Sequence, residues 1–253
     1  MDSTDFNNIR FPRFFFSGEA EIGARIEITE DAKHITSVLR MKSGEKAVLV
    51  GVHGFEYPSR IVKIENNFVI FEVLAKREND SEPKLIVRLF QCVPKGEKLD
   101  FIVQKATELG VSEIIPVISK RCVSRPDEKK QGGKILRLQK IAEQAAKQSG
   151  RGKIPLVSEF TSFNDSLKLY NDENLGIIFY ENGGVRLNEI LNNKGGLKAA
   201  DIFIGSEGGF ETEEVSAAEK AGIIKATLGK MILRTETAPV AALSILMNLT
   251  GEI

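Results

Sequence analysis

From Arg13 to Lys76 the apolar positions come in short runs, RFFF, KAVLVGV, YPSRIVKI and FVIFEVLAK, with turn signals at Ser43-Gly44, His53-Gly54 and Asn66-Asn67. Runs of this length and spacing predict a small β-barrel. Asp31 to Leu39 interrupts them: Ile35, Val38 and Leu39 fall at helical spacing, which predicts one helix within the β region. KRENDSEPK, Lys76 to Lys84, is polar, charged and proline-bearing, the composition of a linker. Two domains are therefore expected, residues 1–76 and 84–253, joined by 77–83.

Beyond the linker the period changes. LIVRLFQCV reads as a buried strand, KLDFIVQKATELG as an amphipathic helix ending at Gly110, and SEIIPVIS as the next strand. A long basic helix is predicted from about Lys134 to Gln148. Strands follow in NLGIIFYE, DIFIGSE and KATLGK, with ETEEVSAAEKAG as a helix between the last two. The alternation predicts an α/β domain, a mostly parallel sheet covered by helices on both faces. The last helix, from about Pro239 to Thr250, has proline in its first turn and is apolar on nearly all sides. It is expected to be buried in the core or in a subunit interface.

Composition adds limits. The 253 residues are 42% hydrophobic and 28% charged, and no apolar run approaches the ~18 residues of a membrane span. A soluble protein is expected, with no membrane partner. MDSTDFNNIRFPRFFF lacks the basic-then-apolar order of a secretory signal, which suggests a cytoplasmic location. Two cysteines, Cys92 and Cys122, argue against a disulfide framework and against a cysteine-based metal site, so no metal is expected.

The formal net charge of zero hides an uneven distribution. Residues 84–155 hold 16 Lys/Arg against 7 Asp/Glu, residues 1–83 hold 11 against 14, and residues 156–253 hold 8 against 14. Such an excess over the middle third suits a polyanion, the alternative being solvated helix faces.

The candidate chemistry lies in two loops. IGSEGGFETEE, Ile204 to Glu214, places three glycines beside four glutamates between a predicted strand and a predicted helix. Gly205, Gly208 and Gly209 allow a ligand to approach backbone amides closely, and Thr212 is the expected N-cap. Glu207, Glu211, Glu213 and Glu214 would repel a phosphate, so the loop suits a ligand that is neutral or cationic at its reactive end. The alternative is a tight turn into a well-capped surface helix. LGKMILRTETAP, Leu228 to Pro239, is a second glycine-bearing strand end, and FYENGG a third. Three such ends can converge at one edge of a sheet, and S-adenosylmethionine is the common purine cofactor with a positive centre. The usual nucleotide fingerprints, G-x-G-x-x-G and the P-loop, are absent.

These two loops, with KGEKLDFIVQKATELGV, QSGRGKIP and HITSVLRMKSGE, resemble the bacterial 16S ribosomal RNA uridine-N3 methyltransferases of the RsmE type, in the SPOUT superfamily. The resemblance runs over nearly the whole chain. It implies an N-terminal PUA-like β-barrel and a C-terminal SPOUT α/β domain with a deep trefoil knot, a rare exception to unthreaded connections. It further implies that S-adenosylmethionine lies against three loops. These hold Phe179, Tyr180 and Glu181; Ile204, Gly205, Ser206, Glu207, Gly208 and Gly209; and Leu228, Gly229, Ile232, Leu233 and Arg234, with Thr235, Glu236, Thr237 and Ala238 adjoining. Ser206 stands where the family typically has proline, which should loosen the free loop without removing a contact atom.

The implied partners are 16S ribosomal RNA, within an assembled 30S subunit, and a second copy of the chain. Other readings are a SPOUT methyltransferase acting on another RNA, and a non-catalytic RNA-binding module of ribosome assembly. Uracil N3 carries a proton that must leave, and both histidines, His34 and His53, lie in the N-terminal domain. Arg234 or a residue of the basic segment is the candidate for stabilising the uracil anion, the alternative for Arg234 being a pairing with Glu236 or Glu207. Glu207 either faces the sulfonium or holds the glycine loop through backbone amides. Arg40, Lys95, Lys98, Arg121, Arg125, Arg151 and Lys153 are the candidate RNA contacts, and Gln148 and Ser149 the candidates for touching the target nucleotide.

Overall fold

The structure, a computed structural model, describes residues 11–253 except 124, 126 and 193–195. The first ten residues of the expected 1–76 domain lie outside the described residues. Two compact units result: residues up to Glu82 together with Ala146–Lys153, and Pro83–Ala145 together with Ile154–Ile253.

The first unit is a curled sheet of β1 (Arg13–Phe15), β2 (Arg25–Ile28), β3 (Lys46–Val50), β4 (Phe55–Ile64), β5 (Val69–Val73) and β6 (Arg77–Glu78). The order is β1-β3-β4-β5-β2 with β6 on β4, antiparallel except for β1 with β3. Phe14, Ile35, Leu49, Tyr57, Ile61 and Phe71 fill its core. β2 and β6 were not legible in the sequence.

The expected helix at Asp31 to Leu39 is a short π-helix, His34–Val38, in which the Leu39 N–H donates to His34 O at 2.9 Å. A turn closed by i→i+5 bonds holds more residues than an α turn, so position 38 leaves the face of Ile35, and Leu39 is the C-cap beyond the helix. Ile35 is buried, whereas Val38 is 65% and Leu39 40% exposed.

The segment 76–84 is fastened down, since Arg77 and Glu78 form β6. The Asn79 amide donates to the Gly150 carbonyl at 3.0 Å, and Glu82 pairs with Arg151 at 2.6 Å. Glu82 also accepts the Gly152 and Lys153 N–H groups.

The second unit is an eight-stranded sheet of β7 (Ile86–Cys92), β8 (Glu113–Ile118), β9 (Leu156–Val157), β10 (Thr161–Ser162), β11 (Leu175–Phe179), β12 (Val185–Arg186), β13 (Ala199–Ile204) and β14 (Ile224–Thr227). Its order is β10-β8-β7-β13-β11-β14-β12 with β9 on β8, and every pairing is parallel. β11, LGIIF, is buried at all five positions, as expected of a strand covered on both faces. The helices are α1 (Lys98–Glu108), α2 (Glu128–Ser149), α3 (Phe163–Leu169), α4 (Leu187–Leu191), α5 (Thr212–Lys220) and α6 (Thr237–Leu249). α3, α4 and the two-residue strands escaped the sequence reading because each is too short to repeat its hydrophobic period recognisably. α6 buries Pro239, Ala242, Leu243, Leu246 and Met247 in the core of this unit but leaves Ile245 39% and Leu249 47% exposed. Among the described residues no helix is long and apolar enough to cross a membrane.

Candidate functional site

The strands β13, β11 and β14 are adjacent, and the loops leaving their C-terminal ends enclose a cavity of about 280 Å³, near the lower end of ligand pockets. Phe179, Tyr180 and Glu181 line it from β11, and Ile204 through Gly209 from β13. Leu228, Gly229, Ile232, Leu233, Thr235 and Ala238 complete it from the third loop. Fifteen of the cofactor positions inferred from the sequence thus surround one space. Arg234, Glu236 and Thr237 do not line it. Arg234 is exposed, its carbonyl accepts the N–H groups of Thr237 and Ala238, and its side chain makes no hydrogen bond or ion pair among the described residues. Lys230 and Met231, inside the third loop, also line the cavity, as does Thr227, which adjoins that loop and was missed.

The glutamates of the glycine loop turn out to hold the loop. Glu207 accepts the Lys95 N–H at 3.1 Å and pairs with the Lys98 ammonium at 3.0 Å; Lys98 also reaches Glu236 at 3.2 Å. Burial raises the Glu207 carboxyl, but Lys98 and the backbone N–H groups outweigh it and hold the group below 4.5. On the other side Arg121 pairs with Glu211 at 3.0 Å and donates to the Gly208 carbonyl at 2.9 Å. Glu214 accepts the Lys120 and Glu211 N–H groups, both at 2.9 Å. The N-cap of α5 is consequently Glu211, in a capping box with Glu214, and Thr212 is the first helical residue. Three of the four thus also bind internal partners. Glu181 is the carboxylate at the cavity that remains, with Arg121 4.0 Å away.

Close packing explains the glycines. A Cβ at Gly209, where φ is +67°, would lie 2.6 Å from Glu181 Oε1, and one at Gly205 would lie 3.0 Å from the Gly209 Cα. At Gly208 the Cβ would meet Arg121 at 3.0 Å, so that glycine makes room for the clamp. Thr235 Oγ1 donates to the Gly205 carbonyl at 2.9 Å and ties the third loop to the second. Ser206 is buried, with its hydroxyl 3.4 Å from the Arg121 carbonyl.

The expected RNA contacts divide. Arg40, Lys95, Arg125, Gln148 and Lys153 are exposed. Lys98 and Arg121 are engaged by the glycine loop as above, and Ser149 Oγ donates to the Ala146 carbonyl at 3.5 Å. Arg151 is only 3% exposed and is held by Glu82, so it is not a phosphate contact but part of the first unit's frame. Its partner lies 69 positions away, beyond the reach of any local pattern. Among the described residues no cluster of His, Cys, Asp or Glu could hold a metal ion, and both cysteines are buried and free.

Two family matches make the chain an RNA methyltransferase. The RNA methyltransferase domain model matches residues 81–247, and the RNA methyltransferase PUA domain model matches 29–74. The ribosomal RNA small subunit methyltransferase E of Bacillus subtilis is 33% identical over 220 residues, 85% of this chain and 86% of that one. The crystal structure of the enzyme of that name from Neisseria gonorrhoeae, bound to S-adenosyl methionine, superposes with a TM-score of 0.87 at 32% identity, covering 94% of this chain and 98% of that one. A methyltransferase from Legionella pneumophila with bound cofactor gives 0.86 at 29% identity over 95% and 98%. The chain belongs to the ribosomal RNA small subunit methyltransferase E family.

Proposed function

We propose that the protein transfers the methyl group of S-adenosylmethionine to N3 of a uridine in 16S ribosomal RNA, acting in the cytoplasm on an assembled 30S subunit. The observation that carries this reading is the cavity at the ends of β13, β11 and β14, in a chain whose relatives were crystallised with that cofactor. The cavity fits the group. Phe179, Ile204, Leu228 and Leu233 offer apolar surface to an adenosine, the glycine loop offers backbone, and Glu181 offers negative charge to a sulfonium. The deep trefoil knot belongs to the same proposal, supported by the convergence of the three loops and the likeness to the Neisseria structure.

The cofactor supplies an activated methyl group, which leaves this chain to orient the uracil and to accommodate loss of the N3 proton. Glu207 and Glu236 are poor bases, because both carboxyls are held below their usual range. Arg234, exposed and next in the chain to two lining residues, stabilises the developing N3 anion. The exposed Lys95, Arg125 and Lys153 contact phosphates, and Gln148 lies within reach of the target nucleotide. The protein acts as a homodimer, supported by the apolar Ile245 and Leu249 that α6 leaves uncovered.

The test is transfer of a labelled methyl group to 30S subunits from cells lacking this activity, with nucleoside analysis of the product. One 3-methyluridine in 16S ribosomal RNA is expected. Label in transfer RNA alone would point to another substrate, and cofactor binding or transfer absent under all conditions would point to a non-catalytic assembly role. Light scattering at a monomer mass would remove the dimer.

A further inference from the structure

Gln91 is the next-to-last residue of β7 and is 0% exposed. It is in register with Ile204, the last residue of β13, beside the point where the glycine loop leaves the sheet. Its Nε2 donates to the Cys92 carbonyl at 2.9 Å and stands 3.5 Å from both the Gly205 carbonyl and Thr235 Oγ1. All three neighbours act as acceptors: two are carbonyls, and Thr235 gives its own proton to Gly205. That fixes which end of the amide faces them. The other end, Oε1, is buried and has no hydrogen-bond partner among the described residues. A carbonyl stranded in this way costs about as much as one good hydrogen bond returns, so stability alone does not call for an amide here. Gln91 does not line the cavity, yet the two groups its free proton faces belong to the second and third loops, which do.

We propose that Gln91 is a positioning residue for the cofactor, a buried donor that ties the second and third loops together from beneath the cavity. One Nε2 proton is held by Cys92, and the other is shared between Gly205 and Thr235 in a three-centre arrangement. In a site closed to water such a shared contact counts for more than its length suggests. It sets how far apart the two loops stand, and with that the width of the space they enclose. The proposal rests on the reading of that space as the S-adenosylmethionine site. Gln91 acts through the loops and touches no reacting atom.

The experiment uses the full-length protein and two variants. Gln91→Met keeps the length of the side chain and removes the donor together with the stranded carbonyl, so its Tm should stay at or above the wild-type value. Its Kd for S-adenosylmethionine in calorimetry should nevertheless rise about tenfold, and KM for the cofactor should rise with kcat little changed. In the cofactor-free protein, amide hydrogen exchange should quicken over residues 205–209 and 229–236 and stay slow in β7 and β13. Gln91→Glu should bind the cofactor as weakly as Gln91→Met at about pH 8. Its affinity should recover relative to wild type towards about pH 6, where a carboxyl raised by burial takes up a proton and can donate again. Wild-type cofactor affinity in Gln91→Met would overturn the proposal. So would exchange quickened throughout the sheet, which would make the residue structural, and so would loop exchange at wild-type rates. A Gln91→Glu protein whose affinity follows pH as wild type does would overturn it as well. Wild-type protein that fails to bind S-adenosylmethionine would sink the functional reading alone, and the exchange rates of the two loops would still decide Gln91.

Discussion

Lys98 shows how far a side chain's role depends on what the fold brings beside it. It bridges Glu207 of the second loop and Glu236 before α6, and both carboxylates raise its pKa in return. Lys98→Met should therefore lower S-adenosylmethionine affinity severalfold in calorimetry with Tm nearly unchanged, and Lys98→Arg should restore most of it. A variant with normal cofactor affinity and weakened RNA binding would return Lys98 to the phosphate contacts expected from the sequence. Glu56 gives a pH-dependent counterpart in the first unit. Burial raises its carboxyl, but Arg13 and Arg77 outweigh that and hold it below 4.5. A depressed folded-state pKa means the stabilisation is complete above about 4.5 and is lost as pH falls through the folded value. Acid unfolding followed by circular dichroism should show a shallower limb in Glu56→Gln. The glycines and strand ends of the site were legible because backbone geometry leaves a local signature. The partners of Lys98, Arg121 and Arg151 were not, since each lies 69 or more positions away and charge counts carry no pairing information.

At the level of single elements, α5 depends on its first turn. Glu214 is 4% exposed and receives both the Glu211 and the Lys120 N–H, so it caps the helix and anchors the strand-end loop before Arg121 at once. Glu214→Ala should cost about 1–3 kcal/mol, from a lost cap and a buried donor left without a partner. In a melting experiment that corresponds to a fall of roughly 2–12 °C. A change below 1 °C would mean that water replaces the carboxylate at both donors. The helix itself was readable from ETEEVSAAEKAG, but its start was displaced by one residue. Glutamate is not a preferred N-cap, and the capping box with Glu214 together with the Arg121 pairing holds Glu211 in that position.

At the scale of the whole molecule, the first unit is not contiguous in sequence. Ala146–Lys153 belongs to it, with Arg151 on Glu82 and Lys147 on Asp31. A fragment ending at Glu82 would lose both ion pairs and the Gly152 and Lys153 N–H bonds that Glu82 accepts. Expressed alone, residues 1–82 should unfold at a lower denaturant concentration than the same unit within the full chain. Appending 146–153 through a flexible linker should recover much of the difference, and equal midpoints would show the segment to be dispensable. The second unit has its own discontinuity. β7 lies between β8 and β13, and β13 begins at Ala199, long after β7 ends at Cys92. During synthesis at about 5–20 residues per second, β7 therefore waits roughly 5–20 s with the N–H and C=O groups of one edge unpaired. β7 is thus the strand that a nascent chain most needs shielded, and a demand for chaperones during translation follows from this topology.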